Sequence, residues 1–411
     1  MGFRRSALHR LVSLAGRCSR SALTIAALSV AGLVAGCSGS SLGDFPGYPS
    51  DPNAGNAPVA GDVIGTGTVR VGLLLPLSGG GNQTSIGQVF RNSAELALSD
   101  FQGADIQLIV KDTGGTAEGG RMAAQEVIAQ GAELILGPVF APAVGGAGSV
   151  ARSSGVPVVA FSTDTAVASR GVYLLSFLPE SDVRRIVSFA GSQGKRSFAA
   201  ILPDDAYGSI AEAVFRQEVG RAGGRIVSIQ RYSLSGGNTD DLRAKAETIA
   251  ASSSSIDTLF VPAGGGVPGF VAQVLQAGGN FGTIKMIGTG QWDSAEVQNT
   301  GLLTGAWYPG PDNSGFQSFA QRYQGQFGSR PPRNATLAYD ATILAAGLVR
   351  SAGAERFNSR VMTNSDGFLG IDGVFRFRSN GLNERGLAVY EVTGSGTRVI
   401  DAAPRSFGPG S

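Results

Sequence analysis

The sequence predicts an α/β fold of two doubly wound, Rossmann-like lobes around a cleft, joined by chain crossovers. Three observations predict it. Val69–Leu77 is a nearly continuous apolar run with β-branched residues at its start, the pattern of a strand buried on both faces of a parallel sheet. Strand, loop and helix then alternate from Val69 to Gly288. The alternation restarts once, near Phe177–Pro179, and two βαβ series imply two lobes.

In order, the first series begins with the strand Val69–Leu77, whose ladder Pro76 stops and after which Ser78-Gly79-Gly80-Gly81 opens a loop. Ligands of open α/β sheets bind outside such carboxyl ends. A helix over Ser85–Phe101, a strand over Ile106–Thr113, a helix over Ala117–Gln130 and a strand over Glu133–Val139 follow. A small-residue helix, Ala141–Ser154, leads to the strand Val156–Thr163 and a short apolar piece, Val172–Phe177. Pro179 suits the first turn of a helix running to Gln193.

The second series has strands at Ser197–Pro203, Arg225–Tyr232, Ile256–Pro262 and Ile284–Gly288. Its helices are Tyr207–Ala222, Thr239–Ala251 with Thr239 as N-cap, and Gly269–Ala277. Beyond Trp292 the alternation loosens. Gly305–Tyr308 reads as a short strand crossing back, and Phe316–Phe327 and Thr336–Val349 read as helices around the breaker Arg330-Pro331-Pro332. Gly373–Arg378 and Gly386–Val392 alternate as a hairpin around Ser379-Asn380-Gly381. The expected division puts 68–178 and 309–360 in the first lobe, 179–308 and 361–400 in the second, and 401–411 in a tail.

The 411 residues suffice for two ordinary domains, and 42% hydrophobic with 16% charged residues reads as globular. Residues 1–36 carry five arginines and no acid; without them 28 basic and 31 acidic residues leave a net charge of −3. A mildly acidic body argues against nucleic acid as a partner. The only histidine is His9 and the only cysteines are Cys18 and Cys37, so the body lacks the residues for disulfides, Cys/His zinc sites, Ser-His-Asp triads or Cys-His nucleophiles. No catalytic residue, metal or cofactor is expected, although carboxylate-only chemistry stays open. Gly264-Gly265-Gly266 and Gly288-Thr289-Gly290 fit no phosphate-loop pattern and read as turns.

The N-terminus has the layout of a signal peptide over residues 1–36: a basic stretch from Arg4 to Arg20, an apolar Ala22–Val34 too short to span a bilayer comfortably, then small residues. Its end, Val34-Ala35-Gly36-Cys37, resembles the bacterial lipobox. That resemblance implies cleavage before Cys37, acylation of Cys37 and anchorage to a membrane on the periplasmic side, which several acyl chains hold stably where one does not. Ser38 after the cysteine, in place of Asp, favours the outer membrane over the inner. Residues 37–67 are rich in Gly, Ser, Pro, Asn and Asp and read as a lipidated, flexible tether with a typical span of roughly 30 Å.

From Val69 to about Val392 the chain resembles the type 1 periplasmic binding proteins, the Leu/Ile/Val-binding family. The resemblance rests on ordered segments: Gly72–Gly79, Gly87 with the helix bearing Asn92, Ala94 and Ala97, Lys111-Asp112-Thr113, Leu136-Gly137-Pro138, Gly155–Ser162, Asp204–Gly208, Ala338–Ala341 and Gly370–Gly373. Within the family, Phe161–Asp164, Gly288–Asp293 and Asp372–Arg378 look most like the lipoproteins called penicillin-binding protein activators. The resemblance implies a non-enzymatic protein with a ligand cleft: a regulator of peptidoglycan synthesis that contacts a penicillin-binding protein, or the substrate-binding protein of an ABC transporter for amino acids or another small solute.

Each candidate ligand-binding residue has a plainer reading beside it. Ser78 and Gly79 offer loop amides and a hydroxyl to an anionic group, or form an ordinary turn. Phe140 and Ala141 stand where amino-acid binders of the family hold the ligand carboxylate with a hydroxyl residue, which Val139–Pro142 lacks. Ser162, Thr163 and Asp164 face the cleft or cap the next segment. Tyr207 matches a cleft aromatic or packs in the core. Gln291, Trp292 and Asp293 lie near the family's ammonium-binding glutamate; Asp293 is the nearest acid, and Trp292 is a cleft platform or packing.

Overall fold

The computed structural model describes residues 62–78, 82–234, 237–279 and 281–407. The signal-peptide, Cys37 and most of the tether readings, together with Gly79, lie outside them.

The first lobe opens with β1 (Val63–Ile64), β2 (Val69–Leu75), α1 (Asn82–Asp100), β3 (Ile106–Asp112), α2 (Ala117–Ala129), β4 (Leu134–Leu136), α3 (Ala141–Ser153), β5 (Val158–Ala160) and β6 (Val172–Leu174). Its sheet has the order β1-β3-β2-β4-β5-β6, parallel except at β1. The order reverses between β2 and β4, so the loops after them face a topological switch point. Local chemistry fixes the helix starts. Thr116 accepts the Gly119 N–H at the head of α2, relieving one of the unpaired first-turn donors.

The second lobe continues with α4 (Pro179–Ser192), β7 (Ser197–Pro203), α5 (Ala206–Arg221), β8 (Arg225–Tyr232), α6 (Asp240–Ala251), β9 (Thr258–Phe260), α7 (Val267–Ala277), β10 (Lys285–Ile287), α8 (Ala295–Gln298) and β11 (Trp307–Gly310). Pro179 opens α4 as expected, and Asp205 caps α5 by accepting the Gly208 N–H at 2.8 Å. Thr239 does occupy the N-cap position of α6, but its side chain makes no capping bond.

The chain then returns. Helices α9 (Asn313–Phe327) and α10 (Ala335–Ala352) pack against α1, and Leu337, Ala338, Ala341 and Leu344 of α10 join the core on one face of the first sheet. After α11 (Ser359–Met362) come β12 (Phe368–Gly370), β13 (Gly373–Phe377), β14 (Asn383–Arg385), β15 (Ala388–Thr393) and β16 (Gly396–Asp401). The second sheet has the order β16-β15-β11-β10-β9-β7-β8 and its parallel order reverses between β7 and β9. Each main sheet is thus covered on both faces, by α1 and α10 against α2 and α3 in the first lobe, and by α4 and α5 against α6 and α7 in the second.

Two expectations change here. The hairpin partner of β13 is β14, not Gly386–Val392; β15 leaves for the second sheet, where it pairs antiparallel with β11 and β16. The turn itself is where expected, with Arg378 and Gly381 bonded across it. Residues 361–385 were expected in the second lobe, but β12–β14 form a separate small sheet on the first. Phe375 and Phe377 enter the first core, and Phe377 lies 5.2 Å from Tyr173. β16 ends at Asp401, so it overlaps the expected tail, 401–411, by one residue.

The chain crosses between lobes three times, at Leu175–Leu178, Pro311–Asp312 and Gly386–Leu387. Among the described residues no helix is long and apolar enough to cross a membrane.

Candidate functional site

Between the lobes lies a cleft of about 1040 Å³. Thr163 and Asp164, in the loop after β5, reach it from the first lobe. Phe177 and Asp182 line it from the first crossover and the first turn of α4. Tyr207 and Ile210 come from the start of α5, and Gln291 and Asp293 from the loop after β10. The loop between α9 and α10 supplies Arg330 and Arg333, and Phe316 comes from α9.

Five of the expected residues therefore converge: Thr163, Asp164, Tyr207, Gln291 and Asp293. Asp164 also caps the short 3-10 turn after it, with Oδ1 accepting the Ala166 N–H at 2.9 Å. The Tyr207 hydroxyl turns inward, donating to Pro262 O at 3.2 Å and lying 3.0 Å from Thr289 Oγ1. Burial raises its pKa, so it stays a neutral donor. Gln291 Oε1 accepts the Gly264 N–H at 3.1 Å, which ties the loops after β9 and β10 together.

The other expected residues are elsewhere. Ser162 is buried and accepts the Asp164 N–H, so its hydroxyl serves the turn. Trp292 is packing, not a platform: it is fully buried, and Nε1 donates to Val261 O and Ala263 O at 3.0 Å each. Phe140 and Ala141 form the N-cap and first residue of α3 and are not part of the cleft wall. Ser78 is also outside the wall. Its N–H and that of Leu77 donate to Asp112 Oδ1 at 3.1 and 2.8 Å, and Gly114 N–H adds a third bond at 2.8 Å. An internal carboxylate thus occupies the amides expected to meet a ligand's anion.

Asp293 joins the lobes. Its Oδ1 accepts from Gln298 Nε2 at 2.9 Å, and its Oδ2 lies 3.4 Å from Arg333 Nη2 of the first lobe. Arg333 in turn binds the fully buried Asp372 through Nη1 at 2.5 Å, and Thr336 Oγ1 donates to the other carboxylate oxygen at 2.5 Å. Arg333 Nη2 also meets Asn313 Oδ1. Sequence reasoning missed Arg330, which reads only as part of the helix breaker Arg330-Pro331-Pro332, and Arg333, which has no reading at all. It also missed Asp182, whose Oδ2 accepts the Gly290 N–H at 2.9 Å. Burial, above all, pushes the Asp182 carboxyl up to about 7, against the pull of that N–H and of Arg385. The wall thus offers hydrogen-bond donors and acceptors from both lobes, the provision for holding a small polar molecule.

The sequence model of the periplasmic binding protein family matches residues 68–397. No curated protein matches the chain. Similar solved structures include a branched-chain amino acid ABC transporter periplasmic ligand-binding protein from Burkholderia xenovorans LB400, with 18% identity, TM-score 0.64 and coverage of 83% of this chain and 97% of that one. A leucine-binding protein from Thermotoga maritima has 19% identity and TM-score 0.55, covering 82% and 98%. A solute-binding protein of an ABC transporter from Rhodopseudomonas palustris BisB5, in complex with 3,4-dihydroxybenzoic acid, has 21% identity and TM-score 0.56, also covering 82% and 98%. At these identities the likeness is one of fold. None of these three is a penicillin-binding protein activator, so the expected leaning toward that group gains no support.

Proposed function

This chain belongs to the periplasmic binding protein family, and from that premise we propose that it is a solute receptor of the ABC-transporter type, capturing a small polar molecule between its lobes without chemical turnover. One observation carries the reading: polar side chains of both lobes, Asp164 and Arg333 on one side and Gln291 and Asp293 on the other, line a single cleft of about 1040 Å³. That size suits a small molecule, and two lobes on three crossovers suit closure around it. The family's solute-binding members replace the penicillin-binding protein regulator as the preferred reading. Calorimetry of the purified protein against amino acids and organic acids tests it. The expected result is a solute with micromolar or tighter affinity, about −8 kcal/mol or stronger. Recovery of a penicillin-binding protein in a pull-down, with no solute bound, would restore the regulator.

The family implies a periplasmic location. The lipobox-like Val34–Cys37 supports a lipid anchor at Cys37, with the outer membrane favoured by Ser38. Cys37→Ala is expected to shift the protein from the membrane fraction to a soluble or unprocessed form; unchanged membrane fractionation would refute the anchor.

A further inference from the structure

We propose, resting on the receptor reading above, that the cleft selects an organic anion, whose carboxylate docks on Arg330 while its apolar body lies along Phe316. The argument starts from the charges of the cleft wall. Among its described residues the cations are Arg330 and Arg333. Arg333 is already committed to Asp372, Asn313 and Asp293. Arg330 has a single hydrogen bond, from Nη2 to Gln317 Oε1 at 2.7 Å, and no carboxylate partner. A guanidinium has five donors in a fork that matches a carboxylate, so most of the capacity of this cleft-lining arginine is uncommitted.

The acids of the wall are placed differently. Asp164 and Asp182 each accept a backbone N–H, from Ala166 and Gly290, and Asp293 has Arg333, Gln298 and Tyr308 about it. The strand-end amides of Leu77 and Ser78 are occupied by Asp112. The anion-binding capacity of the cleft has therefore moved to the loop between α9 and α10. That loop is stiff, because Pro331 and Pro332 follow Arg330 directly and Pro331 is buried. The Phe316 ring lies between the two arginines, with guanidinium carbons 5.8 and 4.7 Å from its centroid. It gives the site an apolar floor beside positive charge, and Ile210 of the second lobe lines the same cleft.

The test compares probes that share a body and differ in head group: benzoate, benzamide and benzylamine, and 4-methylpentanoate, L-leucine and 3-methylbutylamine. Calorimetry of the wild type and of Arg330→Gln and Arg330→Lys reads the outcome. The expected result is that an acid of either series binds at least tenfold more tightly than its amide or amine, that Arg330→Gln removes that advantage and that Arg330→Lys keeps part of it. Arg330 is exposed, so unchanged melting of both variants is expected and checks that they are folded. Equal or tighter binding of an amide or amine, or an acid that binds Arg330→Gln as well as wild type, overturns the proposal and leaves the receptor reading standing. Binding of no probe, nor of any solute in the wider panel, overturns both.

Discussion

Asp340 carries a charge problem that the fold does not solve. It is 2% exposed on α10, its Oδ1 accepts the Ile371 N–H at 2.8 Å, and its Oδ2 has no partner. Burial first, and then the negative charge of Asp372, push its carboxyl up to about 7, while the Ile371 N–H and Arg385 pull it down. The ordinary value is 3.8, so between about pH 4 and pH 7 the folded protein holds a proton that the unfolded chain releases. Stability linked to this group is complete below that window and is lost as pH rises through it. Asp182 acts in the same direction and remains as background. Asp340→Asn keeps the acceptor for Ile371 and removes the titration. Melting temperatures at pH 5 and pH 8 are expected to differ less in the variant than in the wild type, by the equivalent of roughly 1–4 kcal/mol. Identical pH slopes would show that Asp340 does not carry the effect.

At the scale of elements, the loop after β10 shows how packing sets the cleft wall. A Cβ on Gly288 would stand 2.1 Å from Trp292 Cε2, so the indole can lie across the backbone only because residue 288 has no side chain. Gly288→Ala is expected to displace Trp292, break its two Nε1 bonds and cost about 2 kcal/mol or more in urea unfolding. Its neighbours Gln291 and Asp293 would shift with it, so solute affinity is expected to fall too. Gly282→Ala, where a Cβ meets nothing within 4 Å, is the control, and equal midpoints for the two variants would refute the packing account.

The elements of both βαβ series were legible because their strands are apolar runs and their helices are punctuated by proline or capping residues. Asn383-Glu384-Arg385 was not legible as a strand, since its buried positions are polar. Asn383 Nδ2 and Arg385 Nε both donate to Ser176 O, at 2.7 and 3.1 Å, a partner remote in sequence. The rest of the Arg385 guanidinium, which has no hydrogen-bond partner, lies over Phe177 and Phe375. Ala388–Thr393 alternates more clearly and was paired in its place. The same limit applies to the cleft. Residues just after strand ends, such as Thr163 and Gln291, follow from the general geometry of α/β sheets. Arg330, Arg333 and Phe316 follow from no local rule, because a helix-to-helix connection reaches the cleft only through the return of the chain to the first lobe. Trp292 was ambiguous for another reason: a single 3-10 turn decides which of three adjacent side chains points inward.

For the molecule as a whole, the lobes are held by more than the chain itself. Arg333 reaches Asp293 across the cleft at 3.4 Å. Arg185 of the second lobe donates to Leu387 O of the third crossover at 2.7 Å, and Arg385 of the first donates to Ser176 O of the first crossover. Arg385, next to the third crossover, thus ties it to the first, and Arg185 ties the third to α4, while the crossover residues remain the places where backbone angles can change.

Three crossovers also mean that no stretch of chain between neighbouring crossovers is a lobe. Residues up to Leu178 lack α10 and the aromatic residues Phe375 and Phe377, which fill one side of the first core. Residues from Pro179 to Gly310 lack β15 and β16, the strands that complete the second sheet beyond β11. During synthesis one side of the first sheet has only α1 to cover it until Ala335–Ala352 has left the ribosome. The two lobes must therefore mature together, as a single folding unit.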